Sequence, residues 1–316
     1  MDQLKSFIYH LKAYDLVVIA FYIILLLIIT VFHSRISYWL IFIYIDFGII
    51  IMTLMLAYGE EIYSTRFWRT IHYWYLVPIV YFTFKELYYM IEPIRQTDYD
   101  WLFIKIDRFM LGGDPTKFLQ SIANPVFTEI LQIVYSSFYL LPILLALFLF
   151  RKKRYLACDY AIFSVVFGFF VSYLGYFALP GIGPRFTLHN FAHINQELPG
   201  LFLTKYLRNI IDTGESIPPG TINPAALVQR DVFPSGHTMI TLIVMYLSVK
   251  LKSRSRFFFI PVGILLIFAT VYLWYHYVID LIGGALFMIF SIWIGKHLFN
   301  WWQEVRGKEK FDYDKS

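Results

Sequence analysis

The sequence predicts an all-α fold, a polytopic membrane helical bundle of about eight transmembrane helices, and three observations carry that prediction. Of its 316 residues, 59% are hydrophobic and only 16% charged, too apolar for an ordinary soluble domain. A mean hydropathy of +0.59 with 21% aromatics suits membrane helices edged by aromatic residues. The apolar residues fall in runs of about 20, the length that crosses a bilayer, and short basic clusters part them.

The candidate spans are 14–33, 37–57, 72–92, 126–150, 157–180, 236–252, 257–275 and 276–298. The boundary near 275 is the weakest of these, because the apolar character barely pauses there. No small-residue cleavage site follows Leu16–Phe32, so the first run reads as a retained helix rather than a signal peptide. Between Asp98 and Pro125, Trp101, Phe103, Ile106 and Phe109 fit either an amphipathic helix on the membrane surface or an ordinary loop. Cys158 is the one cysteine, which excludes an intrachain disulfide and a cysteine metal cluster.

The pI near 9.0 does not indicate nucleic acid, since the basic residues cluster between apolar runs. Those clusters are Arg151 to Arg154, then Lys250, Lys252, Arg254 and Arg256, then Arg306, Lys308, Lys310 and Lys315. Placed inside by the positive-inside rule, they put both termini in the cytoplasm. The loop 181–235, His237 and His276 then share the outer side.

Three motifs carry chemistry. In Tyr272–Asp280, His276 and Asp280 stand four apart, a spacing that puts both on one face of a helix. A carboxylate on one ring nitrogen fixes the tautomer and frees the other nitrogen as nucleophile or base. In Phe233-Pro234-Ser235-Gly236-His237-Thr238, Pro234 suits the first position of a helix. The N–H groups of Ser235, Gly236 and His237 would then cradle an anion, and His237 could act as general acid. A plain helix cap with an interfacial histidine fits the same residues. In Pro180–Phe186, Arg185 can grip phosphate oxygens bidentately, or can simply snorkel at the interface.

In this order the three motifs resemble the type 2 phosphatidic acid phosphatase superfamily of lipid phosphatases and phosphotransferases. The resemblance covers 72–298 as a six-helix catalytic core. It leaves 1–71 as an N-terminal transmembrane hairpin and linker, and 299–316 as a basic cytoplasmic tail. It implies Arg185 as phosphate ligand, Ser235 and Gly236 as phosphate contacts, His237 as general acid, His276 as nucleophile and Asp280 as its orienter. It implies no metal and no other cofactor.

Two cations usual in the family are absent: Ala178 stands where its first motif has lysine, and Thr270 where its third has arginine. Arg230 is a candidate substitute, although a loop arginine explains it as well. The loss at Thr270, with Tyr272–Tyr277 and the stretch Tyr99 to Pro115, is similar to the inositol phosphorylceramide synthase-like branch. The expected reaction is cleavage or transfer of the phosphoryl group of a lipid phosphate or pyrophosphate on the outer face, through a phosphohistidine. Water or a lipid alcohol would resolve it. An inactive lipid-binding relative and a transporter are the competing classes. The expected partners are the lipid substrate and surrounding membrane lipids, with no nucleic acid.

Other polar residues have structural readings beside functional ones. Asp46 lies within the second run and Lys85-Glu86 within the third, where helix–helix pairing accounts for Asp46. His189 and His193 have a metal-compatible spacing if helical, but no third ligand stands beside them. Trp301-Trp302 fits an interfacial belt.

Overall fold

The computed structural model describes residues 8–314, and among them helices form but no strand. Lys315 of the basic tail, like the first seven residues of the 1–71 segment, lies outside the described residues. Along the chain run α1 (Ala13–Phe32), α2 (Trp39–Tyr63), α3 (Arg66–Trp74), α4 (Leu76–Ile94), α5 (Asp100–Leu111) and α6 (Pro115–Gln120). Next come α7 (Pro125–Ser136), α8 (Leu140–Arg151), α9 (Tyr155–Ala178), α10 (Pro184–Thr187), a 3-10 turn (Phe191–His193) and α11 (Ile194–Glu197). The rest are α12 (Thr204–Gly214), α13 (Pro224–Leu227), α14 (Gly236–Lys250), α15 (Arg256–Tyr272) and α16 (Val278–Val305).

The protein is a multi-pass, all-helical membrane protein. α1, α2, α9 and α16 are each long and apolar enough to cross a membrane; α7 and α8, bent by 57°, add a fifth if counted together. The expected span 72–92 covers the end of α3 and most of α4, and those at 236–252 and 257–275 fall on α14 and α15, which have only 15 and 17 residues. α4 carries Lys85, Glu86 and Glu92 within its 19.

The boundary near 275 differs from the expected one. His276 does not open a helix: α15 ends at Tyr272 and α16 starts at Val278, with residues 273–277 turning between them. The Thr270 carbonyl accepts the N–H groups of both Tyr275 (2.9 Å) and His276 (3.0 Å), and Trp274 takes a left-handed φ of 66°. The expected helical face shared by His276 and Asp280 therefore does not form.

The helices fall into two compact units. One takes the described residues up to Gln96, Leu149–Val171 and those from Phe290; the other takes Thr97–Phe148 and Ser172–Ile289. In the first unit, the buried Asp15 of α1 accepts from His72 (2.9 Å) and from the Tyr75 hydroxyl (2.7 Å). The other ring nitrogen of His72 lies 2.6 Å from Glu60 of α2, so one imidazole joins a carboxylate on each of two helices. Asp46 of α2 and Glu86 of α4 are both buried, and among the described residues no hydrogen-bond donor meets either carboxylate oxygen of Asp46.

In the second unit the segment after Asp98 is a helix rather than a loop. On α5, Asp100, Phe103 and Asp107 are buried at helical spacing, while Trp101 and Phe109 are exposed. The two carboxylates bind backbone. Asp100 accepts the N–H groups of Ile182 (2.9 Å) and Gly183 (2.8 Å) and the Tyr277 hydroxyl (2.8 Å). Asp107 accepts those of Val278 (2.8 Å) and Ile279 (2.9 Å), capping α16 at its positive end. α5 thereby fixes both the loop that carries Arg185 and the turn that carries His276.

Candidate active site

Gly183 lets the first-motif loop reach the site. Its φ is +92°, and a Cβ there would sit 3.0 Å from the Tyr275 carbonyl, so a larger residue would strain the turn. The next residues form α10, and the Arg185 N–H donates to the Trp274 carbonyl at 3.1 Å, tying this loop to the His276 turn. The buried guanidinium reaches Asp212 Oδ1 through NH1 (2.9 Å) and Glu215 Oε2 through NH2. It also stacks on the Tyr275 ring, 4.2 Å from its centroid. Burial opposes its charge, but Glu215, Tyr275 and Asp212 outweigh that and hold its pKa above the ordinary value.

The second motif differs from its expected local structure. Pro234 is not the first helical residue; Ser235 is the N-cap and Gly236 opens α14. Ser235 accepts the Thr238 N–H on Oγ (3.2 Å), and its own N–H donates to the Asp280 carbonyl (3.0 Å). That N–H is therefore engaged within the fold. The N–H groups of Gly236 and His237, first in α14, have no intrahelical acceptor. Gly236 lies so close to Tyr176 that a Cβ would come within 2.5 Å of its hydroxyl.

His237 projects from α14 between aromatic rings, with Tyr135 at 4.5 Å and Phe138 at 4.2 Å between centroids. Its ring lies 5.6 Å from that of His276. His276 Nδ1 is 3.1 Å from the Val232 carbonyl and 3.5 Å from Asp280 Oδ2. A carbonyl only accepts, so Nδ1 carries the proton and Nε2 the lone pair. Asp280 Oδ2 accepts instead from the Tyr277 N–H at 2.8 Å, and its carboxylate is near the ring without being its first hydrogen-bond partner.

Burial lowers the His276 pKa, the Val232 carbonyl opposes this, and the Arg185 charge adds to it, leaving the group at about 3. The imidazole is therefore neutral and unprotonated on Nε2 across the physiological range. The expected result is an acid limb of kcat/KM that lies below pH 5 rather than near 6.5, the ordinary histidine value. A pH–rate profile from pH 4 to 8, corrected for the substrate's own ionisation, checks this.

Arg185, His237 and His276 meet around a cavity of about 10 Å³, the room one water centre needs. Ser235, Gly236 and Asp280 stand behind that lining. Tyr135, Tyr275, Glu215 and Asp231 complete the lining with Ile182 and Val232, and Arg185 is its one cation. Arg230 is not among them; it bonds the Ala226 and Val228 carbonyls and lies 3.5 Å from Asp98. Thr270 is buried and bonds back to the Ile267 carbonyl, 2.7 Å away. His189 stacks on Trp274 at 3.7 Å between centroids and meets the Thr116 hydroxyl at 2.8 Å.

Sequence reasoning missed Asp212, Glu215, Asp231 and Tyr135, and the supporting Asp100 and Asp107. Only the last two had a signal: carboxylates seven apart on the buried side of an otherwise apolar helical stripe.

The comparisons with known proteins bear on this geometry. A family model described as the PAP2 superfamily matches residues 102–294, more than half of the chain. No curated protein and no solved structure matches.

Proposed function

We propose, from the premise that the chain belongs to the PAP2 superfamily, that it cleaves a phosphoester or pyrophosphate bond of a membrane lipid through a phosphohistidine. The family supports a lipid phosphatase- or phosphotransferase-type enzyme. The observation that carries the finer reading is the approach of the His237 and His276 rings to 5.6 Å beside the Arg185 guanidinium.

In this reading His276 Nε2 attacks phosphorus, and the bond from phosphorus to the leaving oxygen breaks. His237, which takes up a proton as the phosphate's negative charge enters beside it, gives that proton to the leaving oxygen. Arg185 and the N–H groups of Gly236 and His237 hold the phosphoryl oxygens as charge builds. Water then attacks the phosphohistidine and gives a proton to His237, releasing phosphate and restoring His276. The cavity is water-sized, so in this reading its lining opens for a phosphoryl group, which takes over Arg185 from Asp212 and Glu215. The positive-inside distribution of basic clusters favours an outer-face site with cytoplasmic termini.

A transferase variant, in which a lipid alcohol replaces water, is favoured by the Tyr272–Tyr277 sequence and the neutral Thr270, as in the inositol phosphorylceramide synthase-like branch.

The test is acid- and base-quench trapping on the detergent-solubilised protein with phosphorus-labelled lipid phosphates and pyrophosphates. Label that stays on protein in base and is lost in acid is expected. Turnover without such a species would sink the covalent reading, and no turnover with water or any alcohol would leave the inactive relative standing.

A further inference from the structure

The two histidines of the site are held by different means. The His276 ring has the Val232 carbonyl at Nδ1 and Asp280 within 3.5 Å. Among the described residues no group hydrogen-bonds the His237 ring, and the contacts that orient it are to the rings of Tyr135, Phe138 and His276. An imidazole that hands over a proton is ordinarily aimed by an acceptor on its other nitrogen. At His237 the aim has to come from stacking.

The stack runs on past Tyr135. Tyr135 meets His237 at 4.5 Å between centroids, 18° from parallel, and meets Tyr275 at 4.1 Å, 6° from parallel. The Arg185 guanidinium stands 4.2 Å from the Tyr275 centroid. Four groups therefore follow in series: guanidinium, phenol, phenol, imidazole. Its two ends are the phosphate ligand and the acid of the proposed reaction, and all four line the same small cavity.

α7 sets the middle of the series. Tyr135 lies in its last turn, and seven residues earlier, on the same helical face, the Thr128 hydroxyl meets that of Tyr272 at 2.8 Å. Tyr272 ends α15, directly before the turn that carries Tyr275. Just after α7 the chain bends by 57° into α8, and Phe138 falls in the bend, 4.2 Å from the imidazole and tilted by 38°. Tyr135 is only 2% exposed, so its ring has little room to turn away.

We propose that Tyr135 is a positioning residue of the active site: its ring holds the His237 imidazole in the orientation that protonates the leaving oxygen, and its π face stabilises the imidazolium that His237 becomes. The acid role of His237 rests on the function proposed above; the stack does not.

Two measurements on the full chain in detergent test this. The first is kcat/KM, which reads the first chemical step, on an alkyl lipid phosphate and on an aryl phosphate whose leaving group needs no proton. Tyr135→Leu and Tyr135→Met, two ringless replacements, are expected to lose roughly 10- to 100-fold on the alkyl substrate, the scale of a displaced catalytic group. They should lose far less on the aryl one. Tyr135→Phe, which keeps the ring, should restore most of the loss, and Tyr135→Leu should add nothing in a His237→Ala background. Equal losses on both leaving groups, or a loss that adds in full to His237→Ala, would make Tyr135 a packing residue and overturn the proposal. A loss in Tyr135→Phe as large as in Tyr135→Leu would put the effect on the hydroxyl and overturn it as well.

The second is proton–carbon NMR of protein labelled at histidine Cε1, with the His237 signal identified by its absence in His237→Ala. Protons above an aromatic face are shifted upfield, so this signal should move downfield in the Leu and Met variants and stay in place in Tyr135→Phe. A signal that does not move in either ringless variant overturns the stack. Wild-type protein without turnover, or with full turnover in His237→Ala, would remove the proposed reaction or its acid, while the histidine signal decides by itself whether Tyr135 holds the ring.

Discussion

His276→Ala is expected to lower turnover of a lipid phosphate by roughly 10⁴- to 10⁶-fold, the loss that follows removal of a covalent nucleophile. The neutral His276, with its proton on Nδ1 against Val232, offers a free Nε2 lone pair beside Arg185. His237→Ala should cost less and in a different way. A general acid contributes roughly 10²- to 10⁴-fold, and only where the leaving oxygen needs a proton. With an aryl phosphate, whose leaving group departs as the anion, the His237 variant should recover most of its loss in the first step and still form the phosphoenzyme. The His276 variant should recover nothing and trap no label. The pair of variants on two leaving groups separates nucleophile from acid, which a single loss of activity cannot do. Substantial turnover in His276→Ala would remove the nucleophile assignment. Removing the ring leaves the Val232 carbonyl without that partner, at a cost of about 1–3 kcal/mol. A thermal midpoint for each variant, with His276→Gln as a second replacement, keeps misfolding apart from lost chemistry.

The helical class of the fold was legible because it rests on the length of apolar runs, which the bilayer dictates locally. The break at 273–277 was not, since Leu273, Trp274 and Tyr275 are as apolar as a helix interior and the turn is held by the distant Arg185 and Asp107. The expected helical pairing of His276 with Asp280 failed for the same reason. Their approach to 3.5 Å comes instead from the turn folding back over the start of α16. The motif residues Arg185, His237 and His276 could be found because short local patterns carry them. Asp212 and Glu215 could not, since they sit 27 and 30 residues beyond Arg185 in a polar stretch with no pattern of its own. Ser235 shows the limit within a motif: the turn was readable, but the engagement of its N–H by the Asp280 carbonyl is a tertiary fact.

Arg185→Ala is expected to damage both stability and activity, and the two losses should be separable. Arg185 is buried, and its removal takes from Asp212 and Glu215 the cation that both bind. Breaking such a buried pair costs about 3–5 kcal/mol, largely through the charge left behind. The cost should be smaller at pH 5 than at pH 8. Burial raises the Asp212 pKa even against the pull of Arg185, so without that pull the carboxylate protonates more readily and sheds its buried charge. Replacing the acids as well, in Arg185→Ala with Asp212→Asn and Glu215→Gln, should return most of the thermal midpoint by removing the stranded charges. It should return none of the kcat/KM, which is expected to stay roughly 10²- to 10³-fold down because the phosphoryl group has lost its one side-chain cation. Thermal midpoints at the two pH values and kcat/KM for the single and triple variants measure both halves. Activity that recovered with stability would mean that Arg185 serves the fold alone, and the phosphate would need another ligand. A single variant that lost activity without losing stability would mean that the two carboxylates are not held by this arginine in the working protein.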